Sequence, residues 1–319
     1  MTRLIARSVL RLAAVSIIGS FGLPGPACAQ STFRTGVDVV SFGVSVIDKA
    51  GTSVDGLSIK DFELFENGKK QEIQFFAVGK DSKESQPPLH IGLLFDVSGS
   101  MSEDIEMARS AAVKFCNRLL NAEDITIVEF DNEVRVARYG QDAFPHLVER
   151  LRKRKPDGMT ALYDALGVYL DGARDQAGQK VLVLYTDGGD NRSAMSFNDL
   201  LTSIKATDVT VYAIGFMTHQ GSARNDQQLH LQQMADTSGG LAFFPMSLKE
   251  IDKAYDRVVA ELEGRYMLGY ISTNAKMDGT WRPVEIKLTK PELRNSKLRT
   301  RKGYFAPYRE QPTSSSKEP

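Results

Sequence analysis

The stretch Ile91-Gly92-Leu93-Leu94-Phe95-Asp96-Val97-Ser98-Gly99-Ser100 decides how this chain is read. An apolar run leads straight into Asp96, and Ser98 and Ser100 follow before a helical pattern begins. A short unbroken apolar run marks a strand covered on both faces, so three hard oxygen donors stand on one strand-to-helix loop. Two segments further along complete the set. Gly158-Met159-Thr160 opens a second helical pattern, and Thr186-Asp187-Gly188 closes the apolar run Val181-Leu182-Val183-Leu184-Tyr185. Asp96, Ser98, Ser100, Thr160 and Asp187 offer oxygens alone. That suits Mg²⁺, which takes oxygen ligands in near-octahedral geometry at roughly 2.0 to 2.1 Å, with Mn²⁺ or Ca²⁺ as the other candidates. So few carboxylates leave such an ion electron-poor, ready to take an acidic group from a partner.

Around these loops the pattern alternates. Apolar runs at 91–96, 125–130, 134–139, 181–186, 209–216 and 241–244 read as strands, and amphipathic stretches at 103–120, 144–152, 161–176, 197–206, 227–237 and 248–263 read as helices. The expected fold is α/β, a doubly wound and mostly parallel sheet with helices on both faces. The 125–139 pair, joined through Asp131-Asn132-Glu133, is expected as a hairpin that makes one edge antiparallel. Ligands of such sheets belong at the carboxyl ends of the strands, where Asp96 and Asp187 stand. Ser98 and Ser100 also precede a helix whose free N–H groups favour negative charge.

The flanks are of another kind. Alternating strands are expected at 37–47, 61–66 and 72–78, with a hairpin signal at Asn67-Gly68, and again at 266–272, 284–288 and 298–305. Neither flank buries much of a core alone, so the two are expected to pair as one small all-β sandwich into which the α/β domain is inserted. The expected organisation is an export signal at 1–29, an N-terminal β segment at 35–79, a linker at 80–88, the α/β domain at 89–264, a C-terminal β segment at 265–308 and a disordered tail at 309–319.

Residues 1–29 carry Arg3, Arg7 and Arg11 around a short apolar stretch, then Ala27-Cys28-Ala29, an A-x-A type cleavage site. Export to the periplasm or outside the cell follows; a retained N-terminal anchor and a lipidated Cys28 are the other readings of the same segment. The apolar part is broken by glycine and proline and is short of the roughly twenty residues a span needs, so no membrane span is expected in the mature chain. The 40 basic and 40 acidic residues become 37 and 40 once this segment is removed, which gives nucleic acid no purchase. The remaining Cys116 lies in a helical pattern and reads as a small buried apolar residue, with no disulfide to form.

Asp-x-Ser-x-Ser, a Thr and an Asp before Gly, in this order, resemble the metal-ion-dependent adhesion site of von Willebrand factor type A domains. All five positions match. Gly56-Leu57, the run Lys60-Asp61-Phe62-Glu63-Leu64-Phe65-Glu66-Asn67-Gly68, Tyr266-Met267-Leu268-Gly269-Tyr270 and Arg301-Lys302-Gly303-Tyr304 extend the likeness to the acidobacterial von Willebrand factor A-related family. The resemblance implies a divalent ion held by the five residues and a protein partner bound through an Asp or Glu carboxylate. It also implies that Glu103 and Asp104 could serve an adjacent Ca²⁺ site, although acids at a helix start have the same dipole benefit without one. In related domains the last helix, here 248–263, can shift on ligand binding; a plain amphipathic helix has the same pattern.

The function expected is an exported, non-enzymatic adhesion or assembly module. A metal-assisted hydrolase and a structural spacer with a vestigial site are the alternatives. His90, His146, His219 and His230 are scattered and read as surface or packing residues, and no GxSxG, HExxH or P-loop pattern occurs.

Overall fold

The computed structural model describes residues 39–49, 51–79, 87–118, 122–217 and 224–309. The expected export segment, most of the linker, His219 and the tail beyond Arg309 lie outside the described residues. The chain opens with β1 (Val39–Ile47), β2 (Phe62–Glu66), β3 (Lys69–Gln71) and β4 (Phe75–Val78). It continues through β5 (Leu89–Asp96), α1 (Ile105–Arg118), β6 (Asp124–Phe130), β7 (Val134–Gly140), α2 (Phe144–Lys153) and α3 (Leu162–Gly172). Next come β8 (Gln179–Thr186), α4 (Phe197–Lys205), β9 (Thr210–Gly215), α5 (Arg224–Ser238), β10 (Leu241–Phe243) and α6 (Leu248–Glu263). It closes with β11 (Tyr266–Ile271), β12 (Trp281–Leu288), β13 (Lys297–Arg299) and β14 (Gly303–Phe305).

Six strands form one sheet in the order β10-β9-β8-β5-β6-β7. All neighbours are parallel except β6 and β7, so the edge hairpin is antiparallel as expected. Strand alternation divides the core. Ile91, Leu93 and Phe95 face α1, α2 and α6, while Leu94, Leu182 and Leu184 face α3, α4 and α5. With both faces covered the inner strands are continuously apolar, which is why they read as unbroken runs. Cys116 is buried on the first face, and burial pushes its thiol up to about 12, so it packs as an apolar group.

The flanks supply two antiparallel four-stranded sheets, β13-β1-β11-β4 and β14-β12-β2-β3, which share one apolar core. Phe42, Val44 and Val46 of β1 meet Phe62 and Leu64 of β2, Tyr266, Leu268 and Tyr270 of β11, and Tyr304 of β14 there. Two flank expectations need correction. The single strand expected at 298–305 is two, because the chain leaves the first sheet after Arg299 and joins the second at Gly303. The cause is local: Arg301 between them donates to the carbonyls of Thr207 and Ser41 and lies over the ring of Phe42. The strand expected at 72–78 is shorter, Phe75–Val78, and it lies in the other sheet beside β11, while Lys69–Gln71, which carried no strand expectation, completes the hairpin with β2. Asn67 and Gly68 both have positive φ, 50° and 76°, as a tight two-residue turn requires.

A buried polar cluster locks the two sheets together. Glu66 of β2 accepts hydrogen bonds from the Tyr270 hydroxyl at 2.8 Å, the Tyr304 hydroxyl at 2.9 Å and Ser272 Oγ at 2.9 Å, with Arg282 Nη1 at 3.5 Å. Arg282 also donates to the backbone carbonyls of Asn274 and Lys276. A second tie joins the α/β domain to this sandwich. Glu261 of α6 accepts from Ser45 Oγ of β1 at 3.0 Å and from Arg299 Nη1 of β13 at 2.6 Å.

Removing one partner of a buried, hydrogen-bonded charge pair leaves the other uncompensated, at about 3–5 kcal/mol. Glu66→Ala is therefore expected to lower the urea midpoint by that equivalent, and Glu66→Gln, which keeps the shape and part of the bonding, to lower it less. A loss below about 1 kcal/mol for the alanine variant would show that the cluster does not hold the sheets.

Candidate metal centre

Strand β5 is where the winding of the sheet reverses: β6 follows on one side and β8 lies on the other. The crevice at the carboxyl ends of such strands is where open α/β sheets place ligands. Asp96 ends β5 and Thr186 ends β8, followed at once by Asp187.

The loop after β5 is shaped by its own side chains. Asp96 Oδ1 accepts the backbone N–H of Ser98 at 2.9 Å, and Asp96 Oδ2 accepts the Thr186 hydroxyl at 2.6 Å. Each carboxylate oxygen has a second lone-pair direction, so the carboxyl is oriented without being saturated. Ser98, extended at φ −70° and ψ 164°, starts a short 3-10 turn over Gly99–Ser102 that leads towards α1. This turn brings Ser98 Oγ and Ser100 Oγ to 3.1 Å.

Thr160 reaches the same rim by a strap of backbone bonds. Asp157 N–H donates to Val97 O at 2.9 Å, and Gly99 N–H donates to Gly158 O at 3.0 Å. Gly158 has φ +79°, a conformation that side chains rarely adopt. Asn191 secures Thr160 from the other side: its Oδ1 accepts the Thr160 N–H at 2.8 Å, and its own N–H donates to Thr160 O at 3.1 Å. In the third loop Asp187 Oδ1 accepts the N–H of Gly189 at 3.0 Å, and the Thr186 hydroxyl accepts that of Gly188 at 3.0 Å.

The three loops thus meet. Asp96 and Ser98 are fully buried, Asp187 and Thr160 are 2% and 3% exposed, and Ser100 is open to solvent. Burial, and then the charge of Asp187, push the Asp96 carboxyl up to about 7. Two carboxylates held this way, with three hydroxyls and no nitrogen or sulfur ligand, fit a hard divalent cation, which would relieve both the burial cost and the repulsion. Among the described residues no group of three or more His, Cys, Asp or Glu could hold a metal.

Sequence reading missed two contributors. Thr186 lies beside Asp187 in the motif, yet its bond to Asp96 spans ninety residues. Asn191 carries no spacing signal at all. Two of the histidines have partners away from these loops: His90, at the start of β5, bonds Asp124 and Ala177 O, and His230 bonds the Tyr163 hydroxyl and stacks on Phe197. Asp104 is buried just ahead of α1, and Glu103 is exposed.

Comparison with known proteins agrees with this architecture. The family model for the von Willebrand factor type A domain matches residues 90–257. No curated protein matches the chain. Similar solved structures include the PilB minor pilin from Streptococcus sanguinis, at 16% identity and a TM-score of 0.46 over 58% of this chain and 64% of that one. A von Willebrand factor type A protein from Catenulispora acidiphila is similar at 14% identity and a TM-score of 0.47, over 79% and 74%. The von Willebrand factor domain of the type V pili tip protein Mfa5 from Porphyromonas gingivalis is similar at 12% identity and a TM-score of 0.46, over 60% and 99%. The chain spans just under two thirds of the PilB structures it matches. Sheet order, the loops at its switch point and the match over 90–257 lead to one conclusion: this chain belongs to the von Willebrand factor type A domain family.

Proposed function

We propose that the rim binds Mg²⁺, or Mn²⁺ or Ca²⁺ in its place, through Asp96, Ser98, Ser100, Thr160 and Asp187, and thereby holds an Asp or Glu carboxylate of a protein partner. The observation that carries this reading is the fully buried Asp96 carboxyl, pushed up to about 7 by burial and by Asp187, in a shell of oxygens. Domains of this family generally mediate protein–protein interaction, and the chain is read as a non-enzymatic adhesion or assembly protein. Export to the periplasm or beyond rests on the character of residues 1–29. Among the described residues no helix is long and apolar enough to cross a membrane.

When bound, the ion supplies a positive centre that accepts a carboxylate oxygen as ligand. The protein's own residues do the positioning. Ser98 N–H and the Thr186 hydroxyl orient Asp96, Asn191 holds the Thr160 loop, and Gly189 N–H holds Asp187. Ser100 is the solvent-facing member, so a partner's side chain arrives from its side.

Calorimetric titration of Mg²⁺ and Mn²⁺ into metal-stripped protein is expected to show saturable binding that Asp96→Asn removes. Circular dichroism is expected to leave the variant's fold unchanged, since the site is built from loops at a rim. Absence of binding in the wild-type chain would reverse the reading in favour of a spacer with a vestigial site. Thr186→Val deletes the hydroxyl that orients Asp96 and keeps the volume; partners of that kind are typically worth 10- to 100-fold in metal affinity. The expected result is a roughly tenfold weaker Mg²⁺ isotherm with an unchanged spectrum, and an unaltered isotherm would remove Thr186 from the account.

A further inference from the structure

The C-terminal turn of α2 and the loop after it read Arg150-Leu151-Arg152-Lys153-Arg154-Lys155, five cations in six residues, and lead directly into the Asp157–Thr160 strap. Three of the five have acidic partners: Arg150 with Glu129 at 2.8 Å, Lys153 with Glu149 at 2.8 Å and Arg154 with Asp131 at 3.5 Å. Arg152 and Lys155 are exposed, and among the described residues neither side chain has an ion pair or hydrogen bond. Arg192, on the other flank of Thr160, is exposed in the same way, although its backbone N–H donates to Thr160 O at 3.1 Å.

A helix C-terminus favours cations through its dipole, which accounts for Arg150, Arg152 and Lys153 in the last turn of α2. It does not account for Lys155 or Arg192, which lie outside any helix. Asp131 is ion-paired with Arg135 and Arg154, and Glu133 with Arg135, while Asp157 and Asp190 accept hydrogen bonds from neutral N–H and O–H groups and Glu103 also has a partner. Three exposed cations without an ion pair thus stand on the two chain segments beside Thr160.

Reach decides what they can bind. Lys155 is two residues before Asp157, whose N–H touches Val97 O between Asp96 and Ser98. An extended chain rises about 3.3 Å per residue, so the Lys155 backbone lies within about 7 Å of that strap, and its side chain reaches further. A carboxylate three or four residues along an extended ligand lies roughly 10–13 Å from the one at the rim. Extending the metal-site reading on which this rests, we propose that the partner's metal-held carboxylate belongs to an acidic segment, and that Arg152, Lys155 and Arg192 bind the carboxylates beside it.

The test uses the full chain and two fluorescent peptides of about twelve residues. One carries a single Asp in a Gly/Ser background, and the other adds Glu three and four residues to either side. Exposed ion pairs contribute about 0.2–1 kcal/mol each. At low salt in Mg²⁺, anisotropy is expected to show the acidic peptide binding roughly three- to tenfold tighter. The variant carrying Arg152→Ala, Lys155→Ala and Arg192→Ala is expected to bind both peptides equally. The charge-keeping set Arg152→Lys, Lys155→Arg and Arg192→Lys is expected to retain the preference. Three results overturn the inference: equal binding of the two peptides by the wild-type chain, a preference that persists in the alanine variant, or acidic-peptide binding that survives chelation of the metal. Binding of the chain to phosphatidylserine vesicles without Mg²⁺, lost in the alanine variant, also overturns it, by assigning the patch to a membrane. If Mg²⁺ binds but neither peptide does, the carboxylate reading of the rim falls as well. Single-Asp binding without an acidic preference removes this inference alone.

Discussion

The sandwich exists only when the two ends of the chain meet, and that constraint governs the rest of the architecture. Four of the six ladders in the flanking sheets join an N-terminal to a C-terminal strand: β1 with β11, β1 with β13, β4 with β11 and β2 with β12. Closing a loop of the size between Val78 and Tyr266 in an unstructured chain costs on the order of 5 kcal/mol. The inserted α/β domain removes most of that cost once folded, because it delivers the two ends side by side. Gly79 N–H donates to Arg265 O at 2.9 Å where the chain leaves and returns. The apolar core of the sandwich and the Glu66–Arg282 cluster then close over a junction already formed.

The rim is built by the opposite strategy, with short bonds between loops that are distant in sequence. A carboxylate with no exposed surface is an expensive group to bury, and the Asp96 carboxyl is pushed up to about 7 in consequence. The surrounding hydrogen bonds orient it more than they relieve it. Such a group stores a preference for positive charge at the end of the central strand. The parallel sheet beneath holds it in place, since β5 is registered against β6 and β8 over nearly its whole length.

How much of this could be read beforehand follows from which physics is local. Strands covered on both faces announce themselves as unbroken apolar runs, so β5, β8 and β9 were legible, as was the hairpin of β6 and β7. The turn at Asn67-Gly68 was legible because positive φ restricts residue choice. The residues proposed as ligands, Asp96, Ser98, Ser100, Thr160 and Asp187, stood out as oxygen-bearing residue types at the ends of strands or ahead of helices. The side chains that orient them were not, since the bond from Thr186 to Asp96 and the grip of Asn191 on Thr160 join positions that only the folded sheet brings together. The crossings at 300–302 and 72–74 were hidden for a related reason. A strand that passes from one sheet to the other keeps its alternation, and only the partners change.

The placement of β4 and β11 bears on what happens when a bound partner is pulled. The domain is suspended from two neighbouring strand ends, paired at Val78 and Tyr266. Tension at the rim draws both strands in one direction and leaves the ladder between them unloaded. It falls instead on the next ladder, between β11 and β1, whose six registered pairs from Val39–Ile271 to Val44–Tyr266 resist together in shear. Glu261, bonded to Ser45 and Arg299, anchors α6 to the strands that stay behind and offers the force a second path. Under a load in that direction the hydrogen bonds of this ladder would yield as a group and not one at a time.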